Sequence, residues 1–146
     1  MYNDNKSYNM ANLNDKKIGR FVMKKLSDAE LEIIRVLWKY KEPRTSNEIL
    51  KEMGENRNWK LASLMTVLAR MVEKEVVFCD RSTRTNYYSA IVSEEQYKLM
   101  EGESFLERLY DNSVKNFIAC MYQGQKMSKE NIMELREYLD KLEEGL

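Results

Sequence analysis

Residues 60–91 read KLASLMTVLARMVEKEVVFCDRSTRTNYYSAI, and a change of period inside this stretch decides the fold. From Lys60 to Lys74 the apolar residues Leu61, Leu64, Leu68, Met71 and Val72 recur at helical spacing, which predicts a helix with that stripe buried. The opposite face carries Ala62, Ser63, Thr66, Ala69, Arg70 and Glu73. Small and hydroxylated side chains there let the helix come close to another surface. Past Glu75 the pattern becomes strand-like. Val76–Asp80 and Thr85–Ile91 are rich in β-branched and aromatic residues, and the polar Arg81-Ser82-Thr83-Arg84 between them suits a turn. Tyr87 and Tyr88 alternate across a strand, so one should pack inward while the other faces solvent or a ligand.

Two helices are expected upstream. Ser27-Asp28-Ala29-Glu30 has the form of a capping box, and Leu31, Ile34, Leu37 and Trp38 follow on one face. Pro43 stops that helix, because it disfavours helical geometry in the residue before it. Thr45-Ser46-Asn47-Glu48 is a second box, opening a short helix to about Met53 with Ile49, Leu50 and Met53 inward. Gly54 can adopt the positive φ that closes it. Trp38 and Trp59 are expected as core anchors. Three helices and a hairpin are the layout of a winged helix-turn-helix, so the fold class expected is mainly α with a small β-hairpin wing.

Downstream, Ser93-Glu94-Glu95-Gln96 opens a helical region in which Phe105, Leu109, Phe117, Ile118 and Met121 supply apolar contacts. Ser128 begins a last helix with Ile132, Leu135, Leu139 and Leu142 along one stripe. These helices have too little core of their own to bury that stripe, and a second copy of the chain is the simplest partner. The organisation expected is therefore a disordered tail over 1–25, a winged helix-turn-helix over 26–92 and a helical dimerisation domain over 93–146.

Composition narrows the function. At 43% hydrophobic and 33% charged, the 146 residues have a soluble globular balance. No apolar run approaches the roughly 18 residues that cross a bilayer, and no secretory signal is evident, so the expectation is a cytoplasmic chain without membrane insertion. There is no histidine, and Cys79 and Cys120 stand far apart without neighbouring ligands, so neither a metal site nor a disulfide is expected. With no phosphate-cradling glycine loop and with carboxylates placed at helix caps, no enzyme and no cofactor are expected. The ten methionines suit pliable core filler.

Charge is zero overall but polarised. Residues 1–25 hold six Lys/Arg against two acids, residues 26–91 eleven against ten, and residues 92–146 seven against twelve. Residues 57–84 hold six basic side chains against three acids. A basic half beside an acidic one is compatible with one end facing nucleic acid.

Several pieces in order resemble the penicillinase-repressor family of winged-helix regulators, the BlaI/MecI/CopY group. They are Leu26-Ser27-Asp28-Ala29-Glu30-Leu31-Glu32-Ile33 with Val36-Leu37-Trp38, then Asn47-Glu48-Ile49, Trp59 and Thr66-Val67-Leu68-Ala69-Arg70-Met71-Val72. Tyr87-Tyr88, Val92-Ser93-Glu94-Glu95-Gln96-Tyr97, Ser104-Phe105-Leu106 and Met127-Ser128-Lys129-Glu130 continue the match to the C-terminus.

The resemblance implies a homodimer that binds a palindromic double-stranded operator and represses transcription, with beta-lactam resistance among the functions the family controls. It assigns DNA contact to Thr66 and Arg70, with Ser63 in place of a common threonine. Lys60, Lys74, Arg81 and Arg84 would add charge at the helix ends and the wing. In the antibiotic-responsive branch a membrane sensor protease pathway leads to cleavage before a phenylalanine that aligns with Phe105, which makes Ser104–Phe105 the candidate bond. Ser104 stands where that branch has asparagine. The copper branch's Cys-x-Cys pair is missing. Ala62 and Met65 replace basic residues on the recognition helix, while Glu73 and Glu75 replace a basic residue and a glycine. A winged helix that binds protein instead of DNA is the alternative those departures raise, and it would show an exposed apolar patch around Met65. Nothing in the sequence marks a pocket for a small inducer.

Overall fold

A computed structural model describes residues 25–54 and 58–146. The tail expected over residues 1–25 lies outside the described residues except for Lys25, and so does Arg57. The chain divides into two compact units, one ending at Glu94 and the other running Glu95–Leu146.

Helix α1 (Asp28–Lys39) is capped by Ser27, whose hydroxyl oxygen accepts from the Glu30 N–H. Glu30 departs from the expected reciprocal box. Its carboxylate accepts from the Ser27 hydroxyl and is almost fully buried, only 4% exposed. Ile33, Ile34 and Leu37 enter the core; Ile33 was not on the expected face, while Leu31 and Trp38 are half-buried. The Trp38 indole N–H donates to the Val92 carbonyl, fastening α1 to the chain that leaves the hairpin.

Helix α2 (Ser46–Met53) is capped by Thr45, and Ile49 is its fully buried residue. Gly54 closes it at φ 67° and ψ −168°, a region essentially reserved for glycine. Helix α3 (Leu61–Glu73) buries Leu64, Val67, Leu68 and Met71. The expected stripe is corrected at three places: Leu61 is 41% exposed, Val72 is half-buried, and Val67 takes a core position. Leu61 opens the helix, so no preceding turn covers it.

The end of α3 is closed by Glu75 at φ 60°. The Val76 N–H reaches back to the Met71 carbonyl and the Glu75 N–H to that of Val72, the paired bonds of a Schellman closure. Glycine is the usual occupant of that left-handed position, which is where the resemblance expected one.

Strands β1 (Val77–Asp80) and β2 (Tyr87–Ala90) form an antiparallel hairpin with Val77 opposite Ala90 and Asp80 opposite Tyr87. Both are shorter than expected at their outer ends, and the turn widens to residues 81–86. Tyr88 is the inward tyrosine and Tyr87 the exposed one. Arg44 adds an isolated bridge, exchanging both backbone hydrogen bonds with Tyr88. The linker before α2 thereby supplies a one-residue third strand. Three helices against this small sheet make a winged helix-turn-helix, with α2 and α3 as its helix pair.

The second unit is built of α4 (Glu94–Tyr110), α5 (Val114–Gln123) and α6 (Lys129–Glu144). Ser113 caps α5, and Ser128 with Asn131 forms a true capping box at α6. Phe105, Tyr110 and Phe117 cluster with ring centroids 5.4–5.5 Å apart, which pins the end of α4 to α5. Among the described residues no helix is long and apolar enough to cross a membrane.

Candidate nucleic-acid interface

On α3 the core contacts fix which residues meet water. With Leu64, Val67, Leu68 and Met71 inward, the outward face is centred on Ala62, Thr66 and Ala69. Leu61 and Met65, one turn apart, form its apolar flank, and Ser63 with Arg70 forms its polar flank. Glu73 closes the exposed face at its far end. The Thr66 hydroxyl donates to the Ala62 carbonyl at 3.0 Å, so its proton is already used within the helix. What Thr66 offers outward is its methyl group and an acceptor oxygen.

Lys60 is the exposed N-cap of α3 and makes no side-chain cap bond, so a cationic residue and the unpaired amides of the first turn share one end of the helix. Both favour an anion there. Arg81 and Arg84 project from the exposed turn of the wing. That turn is shaped by Asp80, which accepts from the Ser82 N–H, and by Thr83, which donates to the Thr85 carbonyl. Lys60, Arg70, Arg81 and Arg84 form no ion pair with any described residue.

Lys74 is placed differently. Its ammonium sits 2.7 and 2.8 Å from the two carboxylate oxygens of Glu30, a residue 44 positions away. The pair joins the first turn of α1 to the end of α3. Burial alone would raise the Glu30 pKa, but the hydrogen bonds and charge of Lys74, together with Ser27, outweigh it and hold the carboxyl below the ordinary 4.5. Of the seven side chains expected at the interface, six stand exposed on α3 and the wing, while Lys74 is engaged in packing.

Sequence reasoning missed two supports of this surface. Glu30 reads as a helix cap, and its burial depends on a partner in another element. Arg44 carries no signal in the sequence; its guanidinium pairs with Glu48 at 3.0 Å and lies 3.9 Å from the centre of the Tyr40 ring, while its backbone holds β2. Trp59 donates to the Glu32 carboxylate at 3.0 Å and steadies the approach to α3.

The expected dimer residues fall into two groups. Phe105 and Phe117 already face each other within the chain. Leu109, Leu139 and Leu142 are exposed, the first at 62%, whereas Ile118, Met121, Ile132 and Leu135 are half-buried. Ser104, exposed, precedes Phe105 inside α4.

Comparison with known proteins matches residues 26–141 to the penicillinase repressor family model. The penicillinase repressor of Bacillus licheniformis is 30% identical over 115 residues, 79% of this chain and 89% of the relative. The methicillin resistance regulatory protein MecI of Mammaliicoccus sciuri is 23% identical over 116 residues, 80% and 94% of the two chains. Among solved structures, the DNA binding domain of the repressor BlaI aligns with 29% identity and a TM-score of 0.45, covering 51% of this chain and 90% of that one. The family is one of transcriptional repressors, not enzymes. By the extent of the family match and the identity to the Bacillus licheniformis repressor, the chain belongs to the penicillinase repressor family.

Proposed function

We propose that this chain represses transcription by binding operator DNA as a homodimer in the cytoplasm. The observation that carries the reading is the water-facing surface of α3, flanked by cations with no ion-pair partner among the described residues, in a chain of this family. In a helix-turn-helix the second helix of the pair enters the major groove and reads base edges from its first turns. Ser63 and Thr66, exposed on the first turns of α3, take that role in this reading. Lys60, Arg70 and the wing arginines Arg81 and Arg84, exposed and without ion-pair partners among the described residues, take phosphate in this reading. Each such contact releases counterions and so makes affinity fall with salt.

A second copy supplies the second half-site of a palindromic operator. Helices α4–α6 favour this, because they leave Leu109, Leu139 and Leu142 in water and bury only Tyr97. Residues 93–146 are then the dimerisation domain. The names of the relatives, penicillinase and methicillin resistance regulators, point to beta-lactam resistance genes as the regulated class. Induction through a membrane sensor protease pathway would act at Ser104–Phe105, where a cut divides α4 just before the ring that packs on Phe117. A fragment ending at Ser104 in beta-lactam-treated cells is the expected mass-spectrometric result; an intact chain would remove that branch.

The test of DNA binding is fluorescence anisotropy with a duplex from the promoter of the chain's own gene, at two salt concentrations. Binding should exceed that to a scrambled duplex and weaken steeply with salt. Arg70→Ala should weaken binding to both duplexes alike and reduce the salt slope by about 1 while melting stays unchanged. Equal affinity for both duplexes would favour the protein-binding alternative, for which the exposed Met65, with Leu61, is the supporting observation.

A further inference from the structure

We propose that α3 reads its operator chiefly through thymine methyl groups, touched by Leu61, Met65 and the methyl of Thr66. The inference rests on the DNA-binding reading above and names the base feature that this site selects. Hydrogen-bond readout in the major groove uses Arg or Lys on guanine and Asn or Gln on adenine. From Leu61 to Glu73 the helix has no Lys, Asn or Gln, and its one cation, Arg70, stands in the last turn. In the first turns, where base edges are met, the exposed side chains are Leu61, Ala62, Ser63, Met65 and Thr66. The Thr66 proton is committed to the Ala62 carbonyl, which leaves Ser63 as the one hydroxyl among them with no bond within the described residues.

Two large apolar side chains therefore face water on the part of the helix that lies deepest in the groove, Leu61 at 41% and Met65 at 38% exposure. The thymine C5 methyl is the apolar group that base pairs present there. Charge decides the occupant. Lys60 at the start of the helix, Arg70 in its last turn and Arg81 and Arg84 on the wing are all exposed and have no ion-pair partner among the described residues, a surplus of positive charge that suits a phosphate backbone. An apolar protein surface set on the same patch would leave those charges uncompensated.

The test uses the full chain and the promoter duplex of its own gene, synthesised with thymidine or with deoxyuridine, which lacks only the C5 methyl. The thymidine duplex should bind tighter by about fourfold for each C5 methyl that the helix touches. A Leu61→Gln, Met65→Gln variant keeps good helix formers at exposed positions, so its fold should persist. Its preference for thymidine over deoxyuridine should fall toward one. Equal binding of the two duplexes by the unmodified chain would overturn the proposal. So would a preference that survives in the variant, because DNA shape would then be its source. A chain that binds neither duplex would instead defeat the DNA-binding reading and leave Leu61 and Met65 as a protein contact.

Discussion

The two units of this chain spend their apolar residues in opposite ways. Up to Glu94, Ile33, Ile34, Ile49, Leu64, Leu68, Met71, Val76 and Val77 are almost wholly removed from water. In Glu95–Leu146 only Tyr97 is buried, while Leu99, Leu109, Tyr122, Met133, Tyr138 and Leu139 stay exposed. The caps of α5 and α6 are nonetheless well formed. Local helix signals can thus be complete where burial is not. Hydrophobic burial contributes about 1.5–3 kcal/mol for each large aliphatic side chain, so the first unit supplies its own stability and the second lacks that source within one copy.

The sharpest way to break this contrast is to cut the same kind of residue in each unit. Leu64→Ala should destabilise the first unit by about 2–5 kcal/mol, read by denaturant melting. Leu135→Asp should leave that transition in place and reduce the mass in solution from two chains to one. If Leu135→Asp also abolished the first unit's melting, the units would not be energetically separate. If the dimer survived it, the pairing surface would lie elsewhere.

A smaller effect concerns the ion pair under α3. Lys74→Met strands the buried Glu30 carboxylate and should cost roughly 3 kcal/mol, the low end for a broken buried pair because Lys74 still touches water. The pH dependence carries the same sign. Glu30 has a lower pKa folded than unfolded, so its contribution is complete above about 4.5 and is lost as pH falls through the folded value. Melting curves taken on acidification should show that slope in the wild type and a flatter one in Glu30→Gln. Matching slopes would mean that the pair is not the titrating element.

The smallest change is Glu75→Gly. Relieving a left-handed non-glycine residue in the Schellman closure should stabilise the first unit by about 1 kcal/mol. An unchanged midpoint would show that the Glu75 side chain offsets its strain through contacts.

How much of this was legible in the sequence depends on the range of the interaction. Ser27, Thr45 and Ser128 announce their helices because a cap and its amide lie three residues apart. The winged helix followed from caps, breakers, turn residues and period together, and the outward placing of Ser63, Thr66 and Arg70 from period. The phase error at Leu61 and Val67 has a packing origin: periodicity identifies a stripe, but its edges are set by what covers them. Glu30 with Lys74, Arg44 with Tyr88 and Phe105 with Phe117 are pairings between elements, invisible to spacing within one. The expectation that Lys74 would meet phosphate failed to anticipate its partner for that reason.

Sedimentation velocity of the full chain with the promoter duplex tests the central claim most directly. Two chains should travel on one duplex, the free protein should sediment at twice the chain mass, and added salt should dissolve the complex while sparing the dimer. A protein that sediments as a single chain and leaves the duplex unshifted at low salt would contradict both the pairing of α4–α6 and the reading of DNA by α3.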